Sequence, residues 1–131
     1  MKREILFKAK RVDNGEWVEG GYHKVSDDVT LIIHKHYNNL AMNSEVYPET
    51  VCQFTGLLDK NGNKIFEGDI LKWIGTTGEN DGVEFHNEVY FLSYRYRIKG
   101  SKNGKTFHTD LNSNHIFNHK CEIIGNTFYN R

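Results

Sequence analysis

Proline occurs once in the 131 residues, as Pro48, and cysteine twice, as Cys52 and Cys121. A chain with so little proline has no proline-rich linker, and no Gly/Ser-rich stretch divides it either. It reads as a single domain over residues 1–131, long enough to bury a core. The two cysteines lie far apart without the short spacing of a metal knuckle, so they read as buried free thiols. No run approaches the roughly 18 apolar residues needed to cross a bilayer. The basic pair Lys2-Arg3 is followed by an apolar run that ends at Phe7, too short for a secretion signal. A cytoplasmic location is the expectation. There is no Gly-x-Ser-x-Gly elbow and no phosphate-binding loop of the Walker kind. Cys52 falls inside a strand pattern between Val51 and Gln53, a poor setting for a nucleophilic thiol.

Net charge is also missing, since 17 Lys and Arg balance 17 Asp and Glu. Whole-molecule attraction to nucleic acid is therefore not implied. The distribution is uneven, however. Residues 45–88 hold three basic and nine acidic side chains, a net −6. Residues 89–131 hold seven basic and two acidic, a net +5. Opposed charge of this kind can be satisfied within one copy or between copies.

What the chain has in quantity is aromatic residues, 13% of the total, and these favour strands. Ile5, Phe7 and Ala9 alternate with Leu6, Lys8 and Lys10, as a half-buried strand should. Asn14-Gly15 marks a turn into Trp17-Val18, and residues 29–33 form a β-branched apolar run. Asn103-Gly104 marks another hairpin. Residues 83–98 offer one or two strands hinged near His86-Asn87, with Tyr90, Leu92, Tyr94, Tyr96 and Ile98 sharing a face. Residues 112–118 read as irregular or as a short helix. About eight strands separated by turns predict an all-β fold: an antiparallel, partly open barrel or bent sheet with short helical turns. The expected core comprises Ile5, Phe7, Trp17, Leu31, Ile33, Phe54, Leu57, Ile65, Ile70, Trp73, Tyr94 and Ile124.

The most informative block spans residues 50–73. Asn61-Gly62 is a strong hairpin signal, because both residues tolerate the positive φ of a tight turn. Gln53–Leu58 should run in and Lys64–Phe66 run out. Gly68 should bend the chain before a strand at 70–74. Across this block and the residues just before it, Pro48–Val51, Gln53–Leu57, Asp59–Gly62 and Ile65–Ile70 resemble the central motif of the YopX family of phage and prophage proteins. Residues 3–9 and 122–130 resemble the family's first strand and its closing Ile-Gly-Asn segment, while 21–46 and 75–118 match no motif. Cys52 departs from the small residue expected at its position. The resemblance implies a mostly β fold around a partly open barrel and a phage or prophage origin. It implies no established activity, so no catalytic residue is carried over.

Three constellations could carry chemistry. Arg95, Arg97, Lys99, Lys102 and Lys105 crowd an interval without acidic residues, and tyrosines interleave with them. A cationic sheet face beside rings can hold single-stranded nucleic acid, although strict alternation sets Tyr94 and Tyr96 on the face opposite Arg95 and Arg97. Glu67 and Asp69 flank Gly68 and could form an ion or acid–base site, or simply cap the bend. His34 and His36 share a strand face, and His115 and His119 would share a helix face, but neither spacing specifies a metal. The reading favoured by the residues is a non-catalytic module that binds a protein partner or its own copies as a homo-oligomer. Nucleic-acid binding through residues 95–105 is the alternative, and a metal-dependent enzyme the weaker one. No catalytic residue, metal or cofactor is assigned.

Overall fold

The computed structural model describes residues 4–35, 40–92, 95–102 and 105–128, and the side chains of residues 35, 92, 99–102 and 105–108 lie outside that description. His36, Tyr94 and the Asn103-Gly104 turn fall outside the described residues. Within them are eleven strands and one α-helix: β1 (Phe7–Lys10), β2 (Trp17–Lys24), β3 (Thr30–Lys35), β4 (Ala41–Glu45), β5 (Cys52–Leu58), β6 (Lys64–Phe66), β7 (Asp69–Ile74), β8 (Glu84–Leu92), β9 (Arg95–Lys102), β10 (Lys105–Asp110), α1 (Ser113–His119) and β11 (Glu122–Asn126). All described pairings are antiparallel. The all-β antiparallel expectation is met, but the strands form two open sheets and no closed barrel among the described residues.

The chain divides into two compact units, Met1–Phe54 and Thr55–Arg131. In the first, the strands pair in the order β4-β3-β2-β1-β5. Ala9, Ile32 and Val46 form its buried centre, with Phe7, Val18 and Val51 packed against them. Gly20 permits a close approach here: a Cβ on it would lie 2.0 Å from the Ile33 carbonyl oxygen. Two expected core residues fail. Ile5 precedes β1 and is 70% exposed. Ile33 is 43% exposed, because alternation along β3 gives the core face to Ile32.

In the second unit, the strands pair in the order β10-β9-β8-β7-β11. Ile65, Leu71, Trp73, Phe85, Val89, Ile98 and Ile116 are among its buried core residues. The β7 segment buries Asp69, Leu71 and Trp73 and leaves Ile70 half-buried, a clean period of two. Ile124 is 46% exposed, because a bulge between Ile123 and Gly125 leaves it without a partner on β7. The expected hinge at His86-Asn87 is absent. Those residues continue β8, and Asn87 is buried where its Oδ1 accepts a hydrogen bond from Trp73 Nε1. β8 instead runs to Leu92 and β9 begins at Arg95, and their register changes the phase. Val89 pairs with Ile98, and Tyr90 with Arg97, so Tyr90 sits on the face opposite Tyr96 and Ile98.

The family-like block is explained locally. Thr55 Oγ1 donates to the Ile65 carbonyl at 2.7 Å and accepts from Leu57 N at 3.1 Å. Five residues, Asp59 to Asn63, connect β5 to β6. Among the described residues only glycines and Lys120 take positive φ, so Asn61 does not, whereas Gly62 has φ +84°. The loop falls between the expected strand ends and is organised by the Asp59 carboxylate, which accepts from Asn61 N and Asn63 N, both at 2.9 Å.

Candidate functional site

Helix α1 borders two concavities of the second unit, one on each side. The polar run Asn112–Ser113-Asn114 starts the helix because Asn112 caps it, with Oδ1 accepting from His115 N at 2.9 Å. The end is equally defined: Lys120 takes a left-handed φ of 53°, and Cys121 N donates to the Ile116 carbonyl at 3.2 Å. Ile116 points into the core. Helical spacing then sends Phe117 and Lys120 to one flank, and His115 and His119 to the other.

On the first flank, α1 and the end of β5 enclose a groove of about 480 Å³, bordered by Leu57, Leu58, Lys60, Ile116, Phe117 and Lys120 among others. Phe117 is 84% exposed and Leu58 50% exposed. Leaving a phenyl ring in water forgoes about 2 kcal/mol of burial. Lys60 and Lys120 add cationic groups at the rim, and Lys60 Nζ lies 3.3 Å from Glu122.

On the second flank, a cavity of about 270 Å³ is bordered by Trp73, Thr76, Thr77, Thr109, His115 and His119, with Asn80 beside them. The imidazole centroids of His115 and His119 are 4.4 Å apart, and both rings meet Trp73 edge-on, at 4.9 and 5.1 Å. His119 Nδ1 is 2.8 Å from the Ile74 carbonyl oxygen, and His115 Nδ1 is 3.3 Å from Cys121 Sγ. Burial, then the neighbouring His119, lowers the His115 pKa to about 4. Burial, then the Asp59 charge, pushes the Cys121 thiol up to about 12. Cys121 is therefore a protonated thiol at neutral pH, and Cys52 is buried as well.

The residues singled out from sequence fall elsewhere. Asp69 is buried and its Oδ2 accepts from Phe66 N at 2.8 Å, closing the bend at Gly68; Glu67 lies half-buried in that bend. Arg95 Nη1 is 2.8 Å from Asp110 Oδ2, and Arg97 Nε is 3.3 Å from Asp110 Oδ1, so both arginines share one carboxylate. Lys99, Lys102 and Lys105 lie on β9 and β10, with side chains outside the described set. His34 Nε2 is 2.8 Å from Ser44 Oγ. Among the described residues no three His, Cys, Asp or Glu side chains converge as metal ligands. No described helix is long and apolar enough to cross a membrane. Sequence reading missed Leu58 and Phe117. The available signal was a large ring set among Asn114, Asn118 and other polar residues, with no apolar periodicity around it.

Two antiparallel sheets and one short α-helix among the described residues define the class of protein. The model of the YopX protein family matches residues 6–131, and the chain belongs to that family. It is similar in structure to protein EF1440 from Enterococcus faecalis, with 22% identity, a TM-score of 0.51, and coverage of 98% of this chain and 96% of that one. At that identity the likeness establishes the fold alone. No curated protein matches the chain.

Proposed function

We propose that this protein is a phage or prophage accessory factor that works in the cytoplasm as a non-catalytic binding module. It engages a protein, its own copies included, through the groove between β5 and α1. The observation that supports this reading is Phe117, a ring 84% exposed on a capped helix beside an apolar groove. Exposed rings beside apolar pockets are the usual anchors of protein interfaces. The cations at the rim favour an occupant with an apolar anchor and acidic neighbours. Residues 45–88, with their net −6, offer that chemistry in a second copy.

Light scattering over a range of protein concentrations, paired with capture from host lysate, tests the proposal. The expected result is association by the wild type, to itself or to a captured protein, that falls at least tenfold in the double variant Leu58→Ser, Phe117→Ser. Circular dichroism should be unchanged. A strict monomer that captures nothing the double variant does not also capture would overturn it.

A second reading, single-stranded nucleic-acid binding, gains one specific observation. Tyr90 lies cross-strand from Arg97, so a ring does accompany the cations on that face. Asp110 opposes it by engaging both arginines. A salt-dependent mobility shift that strengthens in Asp110→Asn and vanishes in Arg95→Glu, Arg97→Glu would favour this reading. No shift at low salt would end it.

A further inference from the structure

We infer that His115 and His119 form a two-imidazole site for a divalent transition-metal ion of the zinc, nickel or copper(II) class, ligated through their Nε2 atoms. The inference concerns the cavity on the other flank of α1 and does not depend on the protein-binding groove.

Geometry is the first support. The two residues stand one turn apart on α1, so their side chains stack on a single face. Two imidazoles that bind one ion through Nε2 at about 2.0–2.1 Å place their centroids roughly 4.5–5 Å apart, for ligand–metal–ligand angles between square and tetrahedral. The observed separation is 4.4 Å. Both rings border the same cavity.

The opposite ring nitrogens are the second support. A carbonyl oxygen only accepts, so His119 Nδ1, 2.8 Å from Ile74 O, carries a proton and donates it. The Nε2 of His119 is thereby left with a lone pair. Cys121 Sγ lies 3.3 Å from His115 Nδ1 and 3.8 Å from the His115 carbonyl oxygen. With Nδ1–H donating to sulfur and the thiol donating to that carbonyl, both groups are satisfied and His115 Nε2 also keeps a lone pair. Ile74 and Cys121 thus stand where outer partners orient metal-bound histidines.

Space agrees. The cavity of about 270 Å³ is large enough for an ion with bound waters. Thr76, Thr77 and Thr109 line it as well, and imidazole with oxygen donors suits zinc, nickel and copper(II). With no third His, Cys, Asp or Glu converging among the described residues, water fills the other positions, so the ion exchanges freely, unlike that of a closed structural site.

Trp73 provides the readout, because both rings lie about 5 Å from its indole. The protein has two tryptophans, so untagged full-length Trp17→Phe leaves Trp73 as the reporter. Titration with copper(II) or nickel(II) should quench its fluorescence saturably at one ion per chain. His115→Asn or His119→Gln in that background should weaken the apparent affinity at least tenfold, and zinc should compete. Non-saturable quenching, or equal affinity in both variants, would overturn the site. Where a variant loses its circular dichroism spectrum, the imidazole proton signals of the wild type decide. Perturbation of His115 and His119 ahead of His23, His34 and His86 supports the site, and perturbation of those others first refutes it.

Discussion

Asp59 Oδ2 accepts a hydrogen bond from Ile123 N at 3.0 Å, joining a hairpin loop to a strand 64 residues further on. Oδ1 of the same carboxylate accepts from Asn61 N and Asn63 N, and the residue is only 5% exposed. One side chain therefore shapes the β5–β6 loop and fastens β11 to it. Burial alone would raise this carboxyl's pKa, but the amides of Ile123, Asn63 and Asn61 outweigh burial and hold it below the ordinary value of 3.8. The folded state thus favours the anion. Its contribution is complete above about pH 4 and is lost as pH falls through the lowered folded value. Asp59→Ala should cost about 2–4 kcal/mol at pH 7, because buried amides lose a charged acceptor. Urea midpoints measured at pH 7 and between pH 5 and 3 check both points, and the variant should lack this part of the acid dependence.

His115 shifts stability in a different pH window. Its folded pKa of about 4 lies below the ordinary 6.5, so the unfolded chain takes up the proton first. Stability from this group is complete above pH 6.5 and declines as pH falls from 6.5 towards 4, by about 2–3 kcal/mol in all. His115→Gln should flatten denaturation midpoints over that interval. Direct titration of the His115 imidazole proton signal should show no inflection above pH 5.

Asn87 is a buried polar residue in the middle of a core strand, and Trp73 explains it: the indole N–H donates to its Oδ1, while Asn87 Nδ2 donates to the His86 carbonyl at 2.8 Å. Asn87→Leu should destabilise the second unit by about 1–3 kcal/mol, since the indole loses its acceptor. The Trp73 emission maximum in the Trp17→Phe background should shift with it, whereas Glu88→Leu on the outer face should leave that maximum in place.

The hairpin block was the most legible stretch of the chain. Gln53–Leu58, Lys64–Phe66 and the bend at Gly68 fall within a residue of expectation, because glycine-bearing corners and alternating apolar residues act locally. The face assigned to Tyr90 was wrong for a non-local reason. β8 ends at Leu92 and β9 begins at Arg95 in an antiparallel register that resets the alternation, and nothing in the 83–98 pattern marks where one strand ends and the next begins. Ile124 was misplaced likewise, since a bulge is a property of two strands and only one was visible in the pattern. The α1 sites were the least legible. Seven residues carry too few apolar positions to show a helical period, and the partners of His115 and His119 come from β7 and the helix end. The caps at Asn112 and Lys120 make this helix, not a hydrophobic stripe.

The adjacent glycines of β2 provide a matched pair for the last prediction. A Cβ on Gly20 would stand 2.0 Å from the Ile33 carbonyl oxygen and 2.8 Å from its carbon, both backbone atoms that no rotamer change can move. A Cβ on Gly21 meets nothing within 4 Å, and Gly21 does not take positive φ. Gly20→Ala must therefore push β3 away from β2, with a cost of about 3 kcal/mol or more. Gly21→Ala meets no such obstacle and loses less backbone entropy on folding, so it should be neutral or stabilising by up to about 1 kcal/mol. Urea denaturation of the two single variants separates them. Equal destabilisation by both would mean that β2 and β3 do not approach at Gly20 as described, and with that the register Gly21↔Ile33 would fail.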